Sequence, residues 1–194
     1  MKEIDEVLEQ SIQYNPQQRF SELKPFLIEV LKNHCETVLE IGSAEGGLTY
    51  IFSEIFTKVV AVDIHHSTIY EKYNITRFTM NSHNTNDPQI KQIEKLGPYD
   101  LIFIDGNHTY EGVELDFKTY VQFLAFGGII ALHDVKNTLV QKRDKCFVHQ
   151  FAKEITQGNL YISTVIYSDF TDEWGGKINP DMRDHGGIQM WKYL

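Results

Sequence analysis

The stretch "TVLEIGSAEGG", Thr37–Gly47, decides the fold. It opens as a short apolar run around Glu40 and breaks into a loop of small residues and glycines. A run of this length, closed by glycines, reads as a strand feeding a tight turn. Similar runs recur on either side: "KVVAVDI" (58–64), "RFTMN" (77–81), "DLIFIDG" (100–106), "GGIIALHDV" (127–135), "YISTVIYS" (161–168) and "GGIQMWKY" (186–193). The central ones are nearly continuous in Val, Ile, Leu and Phe. Strands buried on both faces read this way, as in a parallel sheet covered by helices.

The intervening segments have helical period. Val113, Phe117, Tyr120, Val121 and Leu124 share one face, and Thr109 is placed to cap that helix. Phe20, Leu23, Phe26, Leu27, Val30 and Leu31 predict a helix before the first strand, and Phe147, Phe151 and Ile155 another. Strand–helix alternation gives an open α/β sheet, whose ligands bind beyond the carboxyl ends of the strands.

Composition narrows the partners. The chain has 194 residues, one domain's worth, and a net charge of −9 with no Lys/Arg cluster. That argues against nucleic acid or anionic membrane as the main partner. The two cysteines, Cys35 and Cys146, form neither a metal spacing nor a disulfide framework, which fits a cytoplasmic protein. The start, "MKEIDEVLEQ", has no apolar core of a signal peptide, and no apolar run is long enough to span a bilayer.

The strand ends carry the chemistry. The loop after the first strand has no Gly-Lys-Ser/Thr, which excludes a P-loop. A dinucleotide fingerprint would place glycine where Ala44 stands, and Glu40 and Glu45 add negative charge. The loop therefore suits a nucleoside without phosphates better than NAD. Asp63 ends the second strand at the spacing where an acidic residue accepts ribose hydroxyls. After the third strand, Asn81 and Ser82 offer hydrogen bonds to a base. Asp105 ends the fourth strand, and His133 and Asp134 end the fifth. Gathered in one cleft, these carboxylates call for a cation between them. His65 and His66 read as rim residues.

"VLEIGSAEGG", "AVDI", "IDGNHTYEGVELDF" and "GGIIALHDV", in this order, resemble class I S-adenosylmethionine-dependent methyltransferases. The closer likeness is to the small branch related to macrocin O-methyltransferases and cephalosporin hydroxylase-like proteins. The resemblance implies a single doubly wound, Rossmann-like domain. Its sheet would be seven-stranded and mostly parallel, with an antiparallel last strand and helices on both faces. Residues 1–34 would form a helical cap, 35–135 the cofactor-binding core, and 136–194 a helix, a strand pair and an acceptor-side loop.

It also implies roles. Glu40, Gly42, Ser43, Ala44, Glu45 and Gly46 would line the methionine and ribose side of S-adenosylmethionine. Asp63 would take the ribose, Ile64 would lie against adenine, and Asn81 and Ser82 would flank it. Asp105, at the end of the fourth strand, would also touch the cofactor. Relatives commonly carry Asp where this chain has Asn81. Metal-dependent relatives have oxygen ligands at the ends of strands four and five. Asp105, His133 and Asp134 would hold the cation here, and the imidazole favours manganese, iron or zinc over magnesium. Catechol-type enzymes have a lysine base three residues after the strand-four Asp; His108 stands there.

The expected reaction is methylation of a hydroxyl on a small sugar or phenol, with His108 as base. The alternatives are a metal-independent methyltransferase, a non-catalytic S-adenosylmethionine-binding protein, and an NAD-dependent oxidoreductase. A metal-dependent hydrolase would want further ligands, which the sequence lacks. "SIQYNPQQRF" (11–20), with Tyr14 and Gln18, and "FTDEWGGKINPDMRDHGG" (170–187) are the segments expected on the acceptor side.

Overall fold

The computed structural model describes residues 3–67, 70–157, 161–166 and 186–193. Helix α1 (Ile4–Ser11) runs through a 3-10 turn, Ile12–Tyr14, into an extended arm and helix α2 (Phe20–Lys32). Strand β1 (Thr37–Ile41), helix α3 (Gly47–Ile55), strand β2 (Lys58–Asp63) and strand β3 (Ile75–Thr79) follow. Helix α4 (Pro88–Leu96), strand β4 (Tyr99–Ile104), helix α5 (Tyr110–Tyr120) and strand β5 (Leu124–Leu132) complete the parallel part. Helices α6 (Leu139–Arg143) and α7 (Val148–Gln157) precede strands β6 (Tyr161–Ile166) and β7 (Ile188–Tyr193).

The seven strands form one sheet in the order β3-β2-β1-β4-β5-β7-β6. All pairs from β3 to β5 are parallel, and β7 is antiparallel to both its neighbours. The order reverses between β1 and β4, which opens a crevice at their carboxyl ends.

Strand alternation divides the core in two. Leu39, Ile41, Val60, Val62, Ile102, Ile104, Ile130 and Leu132 face α4, α5 and α7 through Ile93, Val113, Phe117 and Phe151. Val38, Val59, Leu101, Phe103, Ile129 and Ala131 face α1, α2 and α3 through Leu8, Phe26, Leu27, Ile51 and Phe52. Both faces are therefore covered, which is why the strands read as unbroken apolar runs. Truncating a buried ring such as Phe103 to Ala removes contacts to both Phe26 and Phe52 and costs about 3–5 kcal/mol.

Some boundaries differ from the sequence expectation. Leu124 begins β5 instead of extending α5, because a 3-10 turn at Val121–Phe123 ends the helix. Strand β5 stops at Leu132, so His133, Asp134 and Val135 lie beyond it. Asp134 takes a left-handed conformation there, φ 58°. Strand β3 covers 75–79 and not 77–81. Thr109 caps α5 as expected, its hydroxyl accepting from Gly112 N at 3.1 Å. Both cysteines are free and buried, and burial pushes each thiol up to about 12. Among the described residues, no helix is long and apolar enough to cross a membrane. The expected acceptor-side loop at 170–187 lies almost wholly outside the described residues.

Candidate active site

A cleft of about 830 Å³ opens at the carboxyl ends of β1, β2, β3, β4 and β5. The sequence-predicted residues Glu40, Gly42, Ser43, Ala44, Glu45, Asp63, Ile64, Asn81, Ser82, Asp105, His108, His133 and Asp134 all line it. Gly46 does not line it; it caps α3 in a left-handed conformation, φ 86°. Among the described residues, the lining includes five carboxylates and neither Lys nor Arg.

The glycine loop is shaped by its own chain. A Cβ at position 42 would lie 2.3 Å from the Asp105 carbonyl oxygen, so β1 and β4 touch there backbone to backbone. A Cβ at position 47 would lie 2.3 Å from Pro16 N, where the N-terminal arm crosses the start of α3. These two glycines therefore serve close approach of the chain to itself. Asp63 also serves the loop. Its Oδ2 accepts from Ser43 N at 2.8 Å and Ala44 N at 2.9 Å, and its Oδ1 from His65 N at 3.0 Å. Oδ1 keeps a second lone pair for a further donor. Ser43 Oγ meets His66 Nδ1 at 2.9 Å, and His66 Nε2 meets the Phe78 carbonyl at 3.2 Å. His66 is thus a bridge between loops, and burial holds its pKa below the ordinary value.

Glu40 is fully buried. Thr49 Oγ1 donates to its Oε2 at 2.5 Å, while Oε1 has no hydrogen-bond partner among the described residues. Burial pushes its carboxyl up to about 8. Ile64, by contrast, is 73% exposed on the cleft, an apolar platform beside Asp63. Asn81 spends its side-chain oxygen on His83 N at 3.0 Å, which shapes the turn after β3.

The ends of β4 and β5 hold a polar cluster. His108 Nε2 lies 3.1 Å from Asp105 Oδ1 and 3.6 Å from Asp134 Oδ2, with its side chain 42% exposed. Asp105 is 8% exposed, and its Oδ2 accepts from Gln18 Nε2 at 2.5 Å. Asp134 Oδ1 accepts from Gly186 N at 2.7 Å. Burial works to raise the Asp105 pKa, but His133 and His108 outweigh it and hold the carboxyl well below the usual range. Burial likewise works to lower the pKa of His108, and Asp105 and Asp134 together raise it.

His133 sits among the carboxylates of Glu22, Asp105 and Asp134. Its Nε2 faces Glu22 Oε1 at 2.8 Å and its Nδ1 faces Asp105 Oδ1 at 3.2 Å. Carboxylates thus face both ring nitrogens. Ligand atoms of Asp105, His108 and Asp134 converge, all within 4.8 Å of one another. Two carboxylates and an imidazole form a donor set that fits a divalent cation.

One residue of the cluster has no counterpart in the sequence reading. Glu22 has no sequence signal beyond that of an acidic residue in a helix's first turn. Gln18 was expected near an acceptor, and the structure sets it on Asp105. Tyr14, expected there too, packs against Tyr50 and Tyr70 with ring centroids 4.5 and 4.8 Å apart. This stack pins the arm whose Asn15, Gln17 and Gln18 wall the cleft.

The family model described as a methyltransferase domain matches residues 39–135, half of the chain. No curated protein matches the chain by sequence. A solved structure of a candidate caffeoyl-CoA O-methyltransferase from Staphylococcus aureus superposes with a TM-score of 0.70 at 16% identity, covering 100% of this chain and 93% of that one. The O-methyltransferase from Bacillus cereus in complex with SAH gives 0.63 at 17% identity, covering 100% and 92%. The MycE methyltransferase of the mycinamycin pathway, in complex with Mg and SAH, gives 0.58 at 14% identity, covering 87% of this chain but 48% of that one. At these identities the structures show a shared fold. The chain belongs to the methyltransferase-domain family.

Proposed function

We propose that the protein methylates a hydroxyl oxygen of a small acceptor, with His108 as the base. The carrying observation is His108 Nε2 on Asp105 Oδ1, with the half-exposed imidazole at the cleft. S-adenosylmethionine, when bound, supplies a methyl group on a sulfonium that leaves as a neutral thioether. Five carboxylates without a Lys or Arg among the described lining suit that cation, and would repel a pyrophosphate.

In this reading Glu40 faces the positive end of the cofactor, Asp63 Oδ1 takes a ribose hydroxyl, and Ile64 with Asn81 and Ser82 flanks the adenine. Asp105 accepts Nε2–H of His108 and so fixes its tautomer. His108 Nδ1 is then the atom that takes the acceptor's proton as its oxygen attacks the methyl carbon. Residues 1–34 act as a cap, 35–135 as the cofactor core and 136–194 as the acceptor side of one domain.

A second reading is favoured by the convergence of Asp105, His108 and Asp134. A divalent cation held there would lower the pKa of the acceptor hydroxyl. Nε2 of His108 would then be a ligand, and its bond to Asp105 would be given up. The test uses a panel of phenolic and sugar acceptors, reading release of S-adenosylhomocysteine. Under the first reading His108→Ala lowers turnover at least about 100-fold and leaves S-adenosylhomocysteine affinity intact. Equal losses in both would refute it. Turnover abolished by chelator and restored by Mn²⁺ or Mg²⁺ selects the second.

A further inference from the structure

Glu22 lies in the first turn of α2, 111 residues from His133 in sequence, and its side chain is fully buried. Its Oε1 accepts from Arg19 N at 3.0 Å as well as facing His133 Nε2 at 2.8 Å. Its Oε2 accepts from Gly187 N at 2.6 Å. The carboxylate is thus held at both oxygens, and it cannot turn without breaking backbone contacts.

The contacts continue outward. His133, 2% exposed, turns Nδ1 to Asp105 Oδ1, and the same oxygen meets His108 Nε2. With one ring nitrogen on Glu22 and the other on Asp105, the imidazole of His133 cannot rotate without breaking both contacts. The orientation of Nδ1 toward Asp105 therefore depends on a partner that holds Nε2. Glu22 is that partner. Gln18, four residues earlier on the same arm, donates to the other oxygen of Asp105 at 2.5 Å. Asp105 is gripped from both sides by residues 18–22 and what they hold.

We propose that Glu22 is a positioning residue for methyl transfer: through His133 it fixes the Asp105 carboxylate, and through Asp105 the ring of His108. The arm and first turn of α2, outside the matched segment 39–135, thereby belong to the proton-transfer apparatus. The inference rests on His108 acting as the base. A buried ion pair that only stabilises the fold would leave His108 indifferent to Glu22, and this separates the two accounts.

The experiment uses the full-length chain, ¹⁵N-labelled in its histidine rings, at fixed pH with chelator present. Hydrogen-bonded ring N–H signals are read by NMR and assigned with His108→Ala and His133→Phe. The wild type is expected to show hydrogen-bonded ring signals from His133 and from His108 Nε2. In Glu22→Ala the His108 Nε2–H signal is expected to be lost together with that of His133. Retained binding of S-adenosylhomocysteine, measured by calorimetry, shows that the variant is folded. A folded Glu22→Ala protein whose His108 signal is unchanged overturns the proposal. If that variant does not fold, His133→Phe decides, since it cuts the chain one link closer to Asp105. The same loss of the His108 signal is expected there, and its persistence overturns the proposal. Failure of the wild type to bind S-adenosylhomocysteine would count against the reading of the cleft, and the ring signals would still judge Glu22.

Discussion

Glu40 should make cofactor binding depend on pH. Burial pushes its carboxyl from 4.5 to about 8, with Asp105 and Asp63 adding to the rise and Thr49 and Arg77 opposing it. At pH 7 the empty protein therefore carries Glu40 mostly protonated. A cofactor with a positive ammonium favours the ionised form, so binding must expel this proton. Affinity is then expected to rise close to tenfold per pH unit between about pH 6 and pH 8, and to level off above. Over that window the gain approaches roughly 2.5 kcal/mol. Calorimetry with S-adenosylhomocysteine, in two buffers of different ionisation heat, should show about one proton released per molecule bound near pH 6.5. Glu40→Gln should bind more weakly at pH 8 and flatten the profile. A flat wild-type profile, or an equal slope in Glu40→Gln, would refute the reasoning. Stability follows the same group with the opposite sense. Its folded pKa lies above the unfolded one, so its contribution is full below about pH 4.5 and is lost as pH rises through about 8. The whole displacement is worth at most roughly 5 kcal/mol. Glu40→Gln should accordingly gain melting temperature over wild type at pH 9 and not at pH 5.

Three further outcomes are expected. Gly42→Ala sets a Cβ 2.3 Å from the Asp105 carbonyl at φ +88°, and should cost at least about 2 kcal/mol in denaturant unfolding. Thr109→Ala removes the α5 cap and should cost about 1 kcal/mol by the same measurement. Tyr14→Ala removes two ring contacts that pin the arm, worth about 1–3 kcal/mol together, and should speed S-adenosylhomocysteine release measured by stopped flow. An unchanged release rate would mean that the arm does not gate the cleft.

Much of the fold was legible because its decisive signals are local. The runs at Thr37–Ile41, Lys58–Asp63 and Tyr99–Ile104 are buried on both faces, and burial on both faces leaves no polar alternation to misread. Leu124 was misassigned because its apolar side chain continues the period of α5 and neither glycine nor proline marks the 3-10 turn. The strand ends placed Asp63, Asp105, His133 and Asp134 at the cleft for a topological reason, which any parallel sheet would supply. What each side chain bonds to was another matter. The contact of His133 with Glu22 was not legible, because Glu22, far away in sequence, carries no pattern that points to it. Nor does a glycine declare whether it makes room for a ligand or, as at Gly42 and Gly47, for another stretch of its own backbone.

The division of the core has a mechanical consequence. Helix α2 rests on one face of the sheet and α5 on the other, and the apolar layers do not mix through it. Glu22, His133, Asp105 and His108 join the two layers around the rim, where the strands end. Packed helices slide on one another by ångström-scale shear, and apolar contacts tolerate such slip. Hydrogen bonds do not, since they weaken steeply with misalignment. The rim chain therefore ties the relative position of two greasy layers to the orientation of one imidazole. On the proposal that this imidazole is the base, hydrostatic pressure that shifts one layer on the other is expected to change turnover without touching any residue that meets the substrate.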